Sequence, residues 1–295
     1  MNRPMDATLD APAVIATLLV LAVLLGSAWL WILRIQKPQE LIPADHGVRA
    51  WSIGWVNFGI FICALIVATF FVQIFVGSLF RAQIDAAGDE LTPWLAVLAV
   101  LMLQMPLIGI FYLSRRFYPG HFADRLNDRD MSARDALRLS FPYFLRMLPL
   151  IWLTTLLWGK LLEVLQTAGI VETFSPQELV TLFTRGGDPL AIVLLVLLAV
   201  VMAPIIEEII FRGCLYRFLK SQTTLLPAQI LSGAFFALVH GNLLSFVPLV
   251  LVGVLLARIY EASGNILTAM FFHAAFNGFS LLMLFLVNTS TVTGG

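Results

Sequence analysis

From Ala11 to Leu33 the chain runs for 23 residues without a charged side chain, and stretches of this kind recur to its end. In lipid, a run of about 20 apolar residues makes one helical crossing. Windows of that length predict eight helices, at 11–33, 53–80, 92–113, 147–166, 189–218, 226–244, 246–258 and 264–287. The fifth is long and the seventh is short. The expected fold is an all-α membrane protein, a polytopic bundle of about eight transmembrane helices.

Composition closes off the soluble alternative. The 295 residues are 60% hydrophobic and 12% charged, whereas soluble domains carry about 25% charged residues. Net charge is zero, and no basic, aromatic-interleaved patch points to nucleic acid. Before the first window Arg3 is opposed by Asp6 and Asp10, and no small-x-small exit follows, so this reads as a retained helix rather than a cleaved signal. Cys63 and Cys214 lie in or beside apolar segments and imply neither a disulfide framework nor a zinc motif. No internal repeat is apparent, which weighs against an inverted-repeat transporter.

Orientation follows from the basic residues. Segments 34–50, 114–146, 212–224 and 258–263 hold fourteen of the eighteen Lys and Arg residues. The opposite side holds Arg3, Arg81 and Arg185, and Lys160 lies within a span. The positive-inside rule places the basic side in the cytoplasm and both termini outside, in a multi-pass cell-membrane protein. Within 132–145, Ser132 and Asp135 read as a capping box. Ala133, Leu137, Phe141 and Phe144 form a stripe opposite Arg134 and Arg138, predicting an interfacial helix facing anionic head groups. On the other side Ser175-Pro176 reads as a helix start and Arg185–Asp188 as the turn back into the membrane.

Three polar groups interrupt the last hundred residues. Glu207 and Glu208 sit together, each costing roughly 2.5–3.5 kcal/mol at a helix centre on insertion scales. Glu208 and Arg212 are i,i+4 neighbours with the acid first, while Glu207 points a quarter-turn away without a helical partner. Phe236-x-x-x-His240 and His273-x-x-x-Asn277 are the other two groups. Taken singly, each histidine reads as an ordinary packing or interhelical hydrogen-bonding residue, and Glu208–Arg212 as a charged helix end.

Depth argues for one site. Measured from helix ends near Arg217, Leu226 and Gly264, residues Glu207, His240 and His273 lie roughly 15, 21 and 14 Å deep at 1.5 Å per residue. They share a layer opening toward the cytoplasm, which predicts a cytoplasm-facing polar cavity. Glu208 held by Arg212 and a separate Glu207 are suited to different roles. Glu207 with His240 is placed to hold and deprotonate a water. His273 and Asn277 offer donors to an oxyanion. No Ser or Cys sits in a nucleophile setting. A competing set is a zinc site made by Glu207, His240 and His273 with an open fourth position. The chain lacks the His-Glu-x-x-His helix that marks such sites, so chemistry without a cofactor ranks first and zinc second.

Glu-Glu-x-x-x-Arg at 207–212, Phe-x-x-x-His at 236–240 and His-x-x-x-Asn at 273–277, in that order on membrane helices, resemble the CPBP family. These are CAAX-processing and bacteriocin-processing intramembrane proteases, and they include the type II CAAX prenyl endopeptidase. The resemblance covers about residues 189–287. It implies Glu207 as the water-activating carboxylate, Glu208 as its neighbour held by Arg212, His240 as a second water contact, and His273 with Asn277 as the oxyanion pair. It also implies a peptide or membrane-protein substrate, lipidated in some family members, and contact with membrane lipids. The shortness of the stretch between His240 and His273 is expected to shorten the seventh helix.

The chain divides into an N-terminal three-helix region with its cytoplasmic segment (1–146), a fourth helix and outer loop (147–188), and a catalytic core (189–295). Two rivals to the peptidase remain open. One is a proton-coupled transporter or channel using the same polar relay. The other is a non-catalytic membrane scaffold or immunity protein retaining the bundle.

Overall fold

The structure is a computed structural model that describes residues 11–36, 47–88, 92–122, 125–171 and 187–293, with side chains to 288 in the last segment. Its elements are α1 (Ala11–Gln36), α2 (Trp55–Leu79), α3 (Arg81–Ala87), α4 (Pro93–Phe117), α5 (Pro119–Phe122) and α6 (Ala133–Thr167). They continue with α7 (Pro189–Gln222), α8 (Leu225–Val239), α9 (Leu243–Ser263) and α10 (Ile266–Thr293). No strand occurs among the described residues. Among the described residues seven helices are long and apolar enough to cross a membrane, and α8 is a shorter apolar helix.

Burial is inverted relative to a water-soluble protein. Leu18, Leu25, Ile60, Phe70, Phe71 and Leu156 are exposed, whereas Glu208, Arg212, Arg217, Gln229, Thr268 and His273 are buried. An apolar exterior around a polar centre is what lipid requires, since a polar side chain facing hydrocarbon lacks partners. The centre is α7, which packs against α4, α8, α9 and α10, while α6 links α1, α9 and α10, and α2 lies outside α4.

Two expectations are corrected. The short helix is α8, at 15 residues, and α9 runs for 21. Chain geometry explains this: Gly241 takes a left-handed φ of 60°, which ends α8 before His240. Asn242 then caps α9 by accepting from the Ser245 N–H at 3.1 Å. The segment at 132–145 is also no separate interfacial helix, because α6 runs unbroken for 35 residues. Ser132 does cap it, accepting from Asp135 N at 3.1 Å. Its inward face is Ala136, Ser140, Phe144 and Leu148, with Leu137 and Phe141 exposed, so the apolar stripe is rotated by about one residue position. The helix start expected at Ser175-Pro176 lies outside the described residues. Of the turn 185–188, Gly187 and Asp188 are described, and Asp188 caps α7 by accepting from Leu190 N at 2.9 Å.

The basic connections are tied to one another at one end of the bundle. Arg217 donates to Arg49 O at 2.7 Å, and Trp51 N donates back to Arg217 O at 2.9 Å. Lys220 donates to Val48 O at 2.6 Å and pairs with Glu261. Asp128 N donates to Gly264 O at 2.9 Å, and Asn265 Nδ2 to Arg129 O at 2.9 Å. Segments 47–54 and 125–131 therefore cover the ends of α7 and α9 and the start of α10.

At the α8–α9 crossing the backbones meet at a glycine pair. A Cβ on Gly253 would stand 2.5 Å from Gly233 Cα, and small residues permit such approach in membrane bundles. Gly253→Ala should therefore lower thermal stability in detergent by about 1–3 kcal/mol, the usual effect of overpacking. Gly109→Ala, where a Cβ meets nothing within 4 Å, is the control and should not lower it, since Ala is favoured over Gly in a helix interior.

Candidate active site

The helix that carries the paired acids is not a uniform α-helix. Turns at Leu198–Met202 and Ile209–Tyr216 are π-helical and bracket the α-helical Ala203–Glu208; wide turns of this kind often accompany functional sites. Proline explains part of the first. The Ala203 N–H bonds Leu198 O, five residues back. The next rung would need an N–H on Pro204, which has none. The freed carbonyl of Ala199 accepts from Asn277 Nδ2 at 2.8 Å instead.

Glu208 and Arg212 form an ion pair sealed from solvent. Arg212 Nη1 donates to Glu208 Oε1 at 3.0 Å, and both side chains have zero exposure. Arg212 Nη2 reaches Gly253 O on α9 at 3.1 Å, and its guanidinium lies 4.6 Å from the Phe236 ring centroid on α8. From α10, His273 Nδ1 meets the same Glu208 oxygen at 2.8 Å. An ionised carboxylate only accepts, so His273 carries a proton on Nδ1 and turns Nε2 toward Glu207. One ion pair thereby binds α7 to α8, α9 and α10.

Glu207 is placed differently. Its side chain keeps 14% exposure. Oε1 accepts from Gln104 Nε2 on α4 at 2.9 Å, and Oε2 lies 3.8 Å from His273 Nε2. That separation is too long for a direct hydrogen bond and is of the kind water bridges. His240 Nδ1 lies 2.7 Å from Phe236 O. The carbonyl accepts, so the proton sits on Nδ1 and Nε2 is left as an acceptor. Its ring packs 4.7 Å from that of Phe236, and the His273 ring is 5.5 Å from the same residue.

Of the expected residues, Glu207, Glu208, Arg212 and His273 come together directly. His240 joins them through Phe236, with no direct bond to Glu207 among the described residues. Asn277 bonds α7 rather than His273. The helix ends are not level: Glu207 and His240 each lie 15 residues from the basic ends of α7 and α8, but His273 lies only seven from the start of α10. They still meet because the α9–α10 turn is itself sunk, with Ser263 and Asn265 each 1% exposed beneath segment 125–131. No group of three His, Cys, Asp or Glu side chains arranged to hold a metal occurs among the described residues. The donors as placed do not fit the three-ligand zinc set, and no step below is routed through a metal.

Gln104 was not anticipated. Its signal was a lone amide in the apolar window 92–113, but nothing local to that sequence indicates a partner 103 residues away. Three buried polar atoms without a partner among the described residues belong to this cluster: Gln104 Oε1, Glu208 Oε2 and Arg212 Nε. Each such atom costs about 1–3 kcal/mol, a cost commonly retained where function needs it.

Fold and site thus define a polytopic membrane protein whose buried ion pair supports a second, reachable carboxylate. Residues 189–279 match the family described as Rce1-like, the type II CAAX prenyl endopeptidase. A 93-residue stretch is 29% identical to YdiL of Bacillus subtilis (strain 168), provisionally named a membrane peptidase. The match takes in 32% of this chain and 38% of that protein, so the chain spans little more than a third of the relative's length. No solved structure matches. Over this segment the chain is similar to the CAAX-type family of membrane proteases.

Arg212→Met should destabilise the fold by about 3–5 kcal/mol, because it strands the Glu208 charge in the core. Arg212→Lys should not restore stability, since one ammonium cannot span Glu208 Oε1 and Gly253 O in the guanidinium's fork. Thermal unfolding of the purified variants checks both outcomes.

Proposed function

We propose that this chain is an intramembrane endopeptidase that hydrolyses peptide bonds with a water activated by Glu207. The observation that supports it best is the division between the two acids. Glu208 is sealed with Arg212 and His273, while Glu207 keeps exposure and an oxygen near, but not bonded to, His273. A base must reach the proton that it takes, and of the two acids Glu207 is the one left with that access.

In this mechanism Glu207 Oε2 accepts a proton from the water while the water oxygen bonds the scissile carbonyl carbon. His240 Nε2 accepts the water's other hydrogen in a hydrogen bond. The carbonyl oxygen becomes an oxyanion, for which Asn277 has an amide hydrogen beyond the one on Ala199 O, and His273 has Nε2 when that atom is protonated. Collapse breaks the C–N bond, and Glu207 returns its proton to the leaving nitrogen. Donors of this kind contribute roughly 3–4 kcal/mol each in known enzymes. The basic end of the bundle faces the cytoplasm by the positive-inside rule, so both termini are outside and the substrate enters from the cytoplasmic side or from lipid. The substrate class is a peptide or membrane-protein tail, of the CAAX or precursor-processing kind.

Membranes from cells making the wild-type protein or the Glu207→Ala variant should differ in released peptides, with discrete cleavage products present only for wild type. Identical peptide sets would overturn the reading. The same cleavage should persist after a strong chelator, and its loss on chelation with recovery on adding zinc would replace the metal-free mechanism.

A further inference from the structure

We propose that Gln104 is a positioning residue for Glu207, and that the N-terminal helices therefore complete the site that the family segment only begins. The inference rests on the peptidase reading for its kinetic consequence, but not for the bond itself. Gln104 is 8% exposed in the middle of α4, 85 residues ahead of the matched stretch 189–279. Its Nε2 donates to Glu207 Oε1 at 2.9 Å. The direction of that bond is fixed by chemistry, because an ionised carboxylate offers no hydrogen and the amide must present its NH2 side.

The pairing settles which Glu207 oxygen does the work. With Oε1 occupied by the amide, Oε2 is the oxygen turned toward His273 Nε2, 3.8 Å away. Rotation about the last side-chain bond of Glu207 would turn the carboxylate plane and take its oxygens out of line with His273, and that torsion is broad in glutamate. Gln104 holds it. The charged groups around this carboxylate are Glu208 and Arg212 from its own helix and His273 from α10, with His240, just past the end of α8, beyond Phe236. Gln104 is the contribution of α4, and it brings a donor without a charge.

A purely structural role fits poorly. Gln104 gains one hydrogen bond but leaves its own Oε1 buried without a partner, and an unsatisfied buried acceptor offsets much of what such a bond contributes. An apolar residue of the same length would remove both terms, and the Glu207 side chain, 14% exposed, is not sealed from water. Stability alone gives this helix little reason to keep an amide here.

The test compares purified full-length Gln104→Met and Gln104→Glu with wild type. For Gln104→Met the unfolding temperature should stay at or above that of wild type. Its kcat should fall about 10- to 100-fold, the worth of a hydrogen bond to a charged group, with KM nearly unchanged. Gln104→Glu should be inactive at neutral pH, where a second carboxylate faces Glu207, and recover as the pH drops enough for the new carboxyl to carry a donating proton. Wild-type kcat in Gln104→Met, or a loss confined to KM and stability, would overturn the proposal. An independent readout is the infrared carboxylate band of Glu207 in 13C-glutamate-labelled protein, assigned by its disappearance in Glu207→Gln. It should shift in Gln104→Met whether or not peptides are cleaved, and an unmoved band would overturn the proposal. Absence of cleavage by wild type with a shifted band would sink the peptidase reading alone.

Discussion

The structure is organised around one ion pair that neither water nor lipid reaches. Glu208 and Arg212 are both fully buried, and taking two such charges out of water costs several kcal/mol each before their attraction is counted. The arrangement persists because almost every neighbour answers one of the two. Gly253 O and the Phe236 face take the guanidinium, and His273 takes the carboxylate. Those answers come from α8, α9 and α10, so the electrostatics of one helical turn dictates how four helices meet. The glycine pair at 233 and 253 follows from the same need, since α9 has to come close for its carbonyl to be within reach.

This arrangement also explains why adjacent acids do not compete for one role. Helical geometry turns Glu207 away from Glu208, toward Gln104 on α4 rather than toward Arg212. The wide turns on either side of Ala203–Glu208 set that short segment in place. Asn277 supports the first of them by satisfying the carbonyl that Pro204 leaves free. Support of the backbone and supply of a donor to the site are compatible in one amide, which carries two hydrogens.

Much of this was legible in the sequence where the signal is local. The i,i+4 spacing of Glu208 and Arg212 told their pairing, and Ser132 announced the start of α6. The run of apolar windows told the class of fold. What was missed depends on partners far along the chain. Gln104 pairs with an acid 103 residues later, and a single amide in an apolar window looks the same whether it packs or positions. Window averaging also carried the sixth expected helix too far: His240-Gly241-Asn242 holds the turn, but apolar residues on both sides masked it. The stripe on α6 was misplaced because, in lipid, exposed and buried positions can both be apolar, so hydrophobicity alone does not orient a helix. Residue counts from helix ends misjudged His273 because they assumed level ends, and the α9–α10 turn is buried.

The division of labour between Glu207 and Glu208 is best tested by measuring peptide cleavage and thermal unfolding together in Glu207→Gln and Glu208→Gln, each reconstituted in vesicles. Glu207→Gln should keep the wild-type unfolding temperature and lose cleavage, while Glu208→Gln should lose both, because it leaves Arg212 buried without its counter-charge. Cleavage at the wild-type rate in folded Glu207→Gln would contradict the assignment of that carboxylate as the base. A Glu208→Gln protein as stable as wild type would contradict the ion pair as the element that holds the site together.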